Sequence, residues 1–138
     1  MKPVFVDTST LIALGNQRDE FHQQAAQLLR DLVASQRRFV TTNALILKLA
    51  NAFSPAQTKP LAFRLIALIK STPTWMTVII DAALMERGLE RFRKMQDKDW
   101  SLVDCISMNV ASDMDISEIF SNDHHFEQAG FNILLKKT

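Results

Sequence analysis

Val4-Phe5-Val6-Asp7-Thr8-Ser9 is the stretch that decides the fold. Its apolar half reads as a short buried strand. Asp7, Thr8 and Ser9 are all N-cap types, so a helix should start there and run through Leu11, Ile12 and Leu14 to Gly15-Asn16. A strand that gives way directly to a helix opens an α/β unit, and the signal recurs along the chain. Phe21, Ala25, Leu28, Leu29 and Leu32 have helical spacing and mark a second helix. Arg38-Phe39-Val40-Thr41 is a second strand, and Thr42 or Asn43 caps a helix carrying Leu45, Ile46, Leu49 and Phe53 that breaks at Ser54-Pro55. Pro60 to Ile69 is a further helix, so rich in apolar residues that it is expected to be well buried. After the break at Ser71-Thr72-Pro73, Met76 to Ile80 is a third strand, and Asp81 caps a helix carrying Ala82, Leu84, Met85, Leu89 and Phe92. Asp97-Lys98-Asp99-Trp100 is a turn before a helix from Ser101 to Ala111. Ile116 to Phe120 is a fourth strand, His125 to Gln128 a short helix ended by Gly130, and Phe131 to Leu135 a fifth strand.

Strands separated by helices predict an α/β protein: a three-layer α/β/α sandwich around a mostly parallel five-stranded sheet. Such folds place their chemistry outside the carboxyl ends of the strands. A length of 138 residues suits one domain, 1–138. Apolar residues at 47% and charged residues at 22% exclude a disordered tail, a fibre and a disulfide scaffold. The single cysteine, Cys105, forms no internal disulfide and reads as a small buried residue. No uncharged apolar run is long enough to span a bilayer, and Asp7 interrupts the apolar N-terminus, so neither a membrane segment nor a signal peptide is expected. The expected location is the cytoplasm.

The net charge of +1 conceals an asymmetry. Leu32 to Ile80 holds no acid and six bases: Arg37, Arg38, Lys48, Lys59, Arg64 and Lys70. Two readings stand, a polyanion-facing surface or a solvated helical face.

Only Gly15, Gly88 and Gly130 are glycines, and none belongs to a dinucleotide or P-loop phosphate motif. Neither a nucleotide cofactor nor a nucleophile elbow is indicated. Acids stand at the strand ends instead. Asp7 follows the first strand, Asp123 lies just past the fourth, and Asp104 sits in the first turn of a helix after a polar loop. Converging carboxylates repel one another, and a hard divalent ion with oxygen ligands resolves the conflict. Each acid also has a structural reading: a helix cap for Asp7, a capping box Ser101-Leu102-Val103-Asp104 with Asp in place of Glu, and an ordinary turn residue for Asp123. His124 and His125 adjoin Asp123; neighbours at a helix start point apart, so at most one faces the acids, and surface histidine is expected for both. Trp100 reads as a core anchor rather than a base-stacking residue.

Val4 to Ser9, Thr41 to Leu45, Asp97 to Ser107 and Ser121 to Phe126, taken in this order, resemble the PIN-domain family, and within it the VapC-type toxin branch. Asp19, His22 and Ala25 also match a pattern of that branch, where they read as packing. The resemblance implies a Mg²⁺- or Mn²⁺-dependent endoribonuclease with Asp7, Asp104 and Asp123 as metal-binding carboxylates. It implies Ser9 and Ser121 as hydroxyls beside the cluster and Asn122 as the amide before the last acid. Asp99 is either an acid behind the ligands or a cap for the helix from Ser101. RNA, a homodimer and, for toxins, a small antitoxin are the implied partners.

One position departs from the pattern. The segment Asn43 to Ala52 matches a family helix that carries a fourth acid where this chain has Lys48. Lys48 either sits among the carboxylates as a built-in cation, weakening the nuclease, or snorkels away. The alternative function is therefore a PIN fold that no longer cleaves and binds RNA or protein. A phospho-receiver domain also gathers acids at strand ends, but it needs an acidic pair after the first strand, and Thr8 follows Asp7.

Overall fold

Val4, Phe5 and Val6 are buried on both sides, which marks β1 (Val4–Val6) as a central strand. The computed structural model, which describes residues 1–137, places it in the middle of a five-stranded sheet. Along the chain follow α1 (Thr8–Gly15), α2 (His22–Ala34), β2 (Phe39–Thr42), α3 (Asn43–Ala52), α4 (Lys59–Ser71) and β3 (Trp75–Val78). Then come α5 (Ala82–Lys94), α6 (Leu102–Asp113), β4 (Glu118–Phe120), α7 (His124–Gln128) and β5 (Asn132–Ile133). Thr138, the end of the expected domain range, lies outside the described residues.

The sheet order is β3-β2-β1-β4-β5 and every pairing is parallel. β1 pairs with β2 in the register Val4 to Phe39 and with β4 in the register Val6 to Phe120. Alternate side chains of β1 serve opposite faces. Val4 and Val6 join Leu11, Ala25, Leu49 and Ile69 in one core under α1 to α4. Phe5 joins Leu45, Ile106, Met108 and Phe126 in the other, under α5 to α7. This is the expected three-layer sandwich. Thr42 and Asp81 cap α3 and α5 through their side chains, as their residue types suggest. His22 Nδ1 lies 2.7 Å from the Ala13 carbonyl, tying α2 to α1, and Asp19 accepts from the Phe21 N–H in the turn just before α2, beside the buried Ala25.

Three details differ from the sequence reading. α4 is not well buried: only Ala62 and Ile69 are covered, while Phe63 is 64% and Leu68 60% exposed. α4 packs beside β3, an edge strand, so only one of its faces meets the core. β3 stops at Val78 because β2 turns into α3 after Thr42; the Ile80 N–H instead donates to Asn43 Oδ1 at 2.9 Å. β4 and β5 are shorter than expected, starting at Glu118 and spanning Asn132–Ile133.

Candidate active site

The sheet order reverses at β1, with β2 on one side and β4 on the other, and this switch point opens a crevice at the carboxyl ends of the strands. Because Val6 pairs with Phe120, the next residues, Asp7 and Ser121, emerge side by side into it. The Asp7 N–H donates to the Phe120 carbonyl at 3.1 Å. Asp7 stands at the N-cap position of α1, but its carboxylate makes no capping bond. Its Oδ2 accepts from the Ser121 hydroxyl at 2.8 Å and the Ser9 hydroxyl at 3.1 Å, and those two hydroxyl oxygens are 3.1 Å apart. Three oxygens thus share two hydrogens, so one edge of the triangle has none to share while Asp7 is ionised. Burial pushes the Asp7 carboxyl above its usual value. The Ser121 hydroxyl, the charge of Lys48 and the Ser9 hydroxyl pull it back, and the charge of Asp104 adds to the rise.

Asp104 enters from α6. The Ser101 capping box is present: Asp104 N–H donates to Ser101 Oγ at 3.0 Å and Ser101 N–H to Asp104 Oδ2 at 3.1 Å. Asp123 caps α7, its Oδ1 accepting the His125 N–H at 2.9 Å, and its own N–H donates to Ser121 Oγ at 3.0 Å. For Asp104 the capping reading holds, and Asp123, read as a turn residue, proves to be a cap as well; His125 links the two. His125 Nδ1 lies 3.2 Å from Asp104 Oδ2 and 3.2 Å from Asp123 Oδ1, pinning the two carboxylates together. His125 is therefore not a surface residue, whereas His124 is exposed. The sequence signal was faint: a histidine two places after an acid at the start of a helix. Burial also pushes the Cys105 thiol up, which agrees with a packing role rather than a nucleophile.

In each of the three aspartates one oxygen is engaged and holds the carboxylate in place. Asp7 Oδ1, Asp104 Oδ1 and Asp123 Oδ2 make no hydrogen bond among the described residues. Free carboxylate oxygens on fixed side chains are the donor set a hard divalent ion takes, and the residues fit that ion. Among the described residues, the group whose ligand atoms lie within 4.8 Å of one another is Asp123, His124 and His125; the three aspartates are not drawn together that closely.

A cavity of about 700 Å³ leads to Asp7, Ser9, Asn122 and Asp123, and Lys48 stands on its wall. The Lys48 side chain is exposed and makes no ion pair with an acid among the described residues, so it does not sit between the carboxylates. Asn122 donates its N–H to Ser9 Oγ at 3.4 Å. Asp99 is exposed, lines no part of this cavity and is not the cap of α6, which is Ser101. The acid-free segment does not form one basic surface. Arg37 is buried at the opposite, amino end of the strands, where its guanidinium holds the Lys2 carbonyl and Glu118 at 2.7 Å. Arg38 adjoins it there, its carbonyl accepting the Val4 N–H. Trp100 is a core anchor as expected, 6% exposed, with its Nε1 donating to Gln128.

The sequence matches the family described as PIN domain over residues 4–132. Among solved structures, VapC20 of Mycobacterium tuberculosis, described as a sarcin-ricin loop cleaving toxin, is similar at a TM-score of 0.80 and 26% identity. That likeness covers 93% of this chain and 95% of VapC20. No curated protein matches the sequence.

Proposed function

The chain belongs to the PIN-domain family, and from that premise we propose that it is a single PIN domain acting as a VapC-like, Mg²⁺- or Mn²⁺-dependent endoribonuclease, the toxin of a toxin–antitoxin pair. The observation that carries the reading is the set of three aspartates at the switch point, each with one oxygen fixed and one free. Asp7, Asp104 and Asp123 would hold the ion. Such an ion supplies Lewis acidity toward the scissile phosphate and the attacking water. Ser9 and Ser121 fix the rotamer of Asp7, and the Ser101 N–H fixes that of Asp104. His125 holds Asp104 and Asp123 at a set separation, as the outer partners of metal ligands do. The buried setting of Asp7 keeps bulk water from screening the charges there.

Exposed apolar side chains on α3 and α4, Leu47, Phe63 and Leu68, support a homodimer. Among the described residues no helix is long and apolar enough to cross a membrane, and a cytoplasmic site of action follows from an RNA substrate. A sarcin-ricin loop RNA is the first substrate to test, because VapC20 is described as cleaving that loop. Asp7→Asn and Asp104→Asn should each abolish Mn²⁺-dependent cleavage and leave the fold intact; a variant that cleaves normally removes its residue from the site. The second reading, a PIN module that binds without cleaving, rests on Lys48, whose charge acts on Asp7 across the same cavity. Wild-type protein that binds RNA yet cleaves none at saturating Mn²⁺ would establish it.

A further inference from the structure

A second cavity, of about 560 Å³, opens between α5, α6 and α7, and none of the three aspartates lines it. Two of its lining residues adjoin the site's residues along the chain. Trp100 on its wall precedes Ser101, whose N–H holds Asp104, and Gln128 on its wall ends the short helix that begins with His124 and His125.

Two features of the lining stand out. Asn109 is 8% exposed, lines the cavity and makes no side-chain hydrogen bond among the described residues; its amide is open to the cavity and free to bond whatever enters it. The cations differ in a telling way. Arg87 is neutralised by Asp113 at 2.6 Å and Lys94 by Glu90 at 3.0 Å. Arg91 has no acid partner among the described residues: its guanidinium lies 5.9 Å from the Trp100 ring centroid and 3.5 Å from Met108 Sδ. An arginine without an acid partner and an amide open to the same concave space can together receive an anion joined to a group with donors and acceptors. A nucleotide is such a group.

We propose that this cavity holds one unpaired nucleotide of the RNA, beside the bond that is cut, with Arg91 on a phosphate and the Asn109 amide on the base edge. The proposal rests on the ribonuclease reading and adds the subsite that selects the RNA. A base in this place is splayed out of any helix, which is how proteins read RNA sequence.

The chain has two tryptophans, Trp75 and Trp100, so Trp75→Phe leaves Trp100 as the sole reporter on the cavity wall. Trp75 stacks on Phe39, and phenylalanine preserves that contact. Single-stranded RNA decamers of each base, titrated in EDTA, should quench Trp100 as they bind. Arg91→Gln should weaken binding at least fivefold and lower the salt slope by roughly 0.7, one phosphate contact. Asn109→Ala should shrink the affinity differences among the four decamers. Photocrosslinking of 5-iodouridine RNA to otherwise unaltered protein should mark Trp100 or its neighbours, which covers the case of a misfolded variant. RNA that binds without quenching or crosslinking there overturns the subsite. So does wild-type affinity and selectivity in both variants. If Asp104→Asn still abolishes cleavage in those cases, the ribonuclease reading survives. Wild-type protein that neither binds nor cuts RNA overturns both.

Discussion

Replacing Lys48 tests how the missing fourth acid shapes the site. In the structure the side chain is exposed, makes no ion pair with an acid among the described residues, and still acts on Asp7 through its charge. At contact in water a pair of unit charges is worth about 1 kcal/mol, and a divalent ion doubles that. Separation beyond contact and screening by salt reduce it again, to roughly 1 kcal/mol against ion binding. Lys48→Met should therefore tighten Mn²⁺ binding about fivefold. Lys48→Glu, which reverses the charge, should tighten it by about 2 kcal/mol, roughly 30-fold, and further if the new carboxylate reaches the ion. Without metal, Lys48→Glu should melt slightly below wild type, because a fourth like charge joins the cluster, and Mn²⁺ should reverse that loss by mass action. Calorimetric titration with Mn²⁺ at two salt concentrations measures the affinities, and melting curves with and without metal measure the linkage. Equal Mn²⁺ affinity in all three proteins would refute the reasoning and place Lys48 outside the field of the site. A gain beyond a thousandfold for Lys48→Met would refute it in the other direction, since only an ammonium lodged between the carboxylates could block binding so strongly.

The remaining predictions concern stability and assembly. The Asp7 carboxyl is held above its ordinary value of 3.8, so its contribution to stability is fully present below that value and is lost as pH rises through the raised one. In EDTA, Asp7→Asn should accordingly flatten the fall of melting temperature with pH and melt a few degrees above wild type at neutral pH, the scale of ~1 kcal/mol; a lower melting temperature at neutral pH would contradict the burial argument. A Cβ at Gly88 would collide with the buried Ile106 side chain where α5 crosses α6, so Gly88→Ala should cost about 1–3 kcal/mol despite its better helix propensity, read by urea unfolding. Phe63→Asp on the open face of α4 should convert a dimer to a monomer in light scattering without lowering secondary structure by circular dichroism; an unchanged mass would move the interface elsewhere.

What the sequence disclosed follows the range of the interactions. Val4 to Val6 and the caps at Thr42, Asp81 and Ser101 are local, and each was readable from residues a few places apart. The burial of α4 was misjudged because it depends on where its neighbours lie, and an edge strand offers a helix only one face. Arg37 was misjudged for the same reason: its partners, Lys2 and Glu118, are distant in sequence and lie at the amino end of the sheet. His125 and the Ser9 to Ser121 contact also span long separations, so no spacing rule reveals them.

The acids are a different case. For Asp104 a capping box, and for Asp123 an ordinary turn residue, stood as the alternative to a ligand; in the structure both carboxylates cap a helix with one oxygen. A carboxylate has two oxygens. Capping occupies one and thereby fixes the side chain, which leaves the other free and already oriented. A carboxylate that caps a helix is thus a local device for presenting an oriented oxygen. Asp7 departs from it, since its fixed oxygen is held by two serines rather than by backbone N–H groups. Hydroxyls can turn to follow a change in the charge they face, whereas a capping N–H cannot. The carboxylate at the centre of the cluster, the most buried of the three, is therefore the one whose support can adjust as an ion binds and leaves.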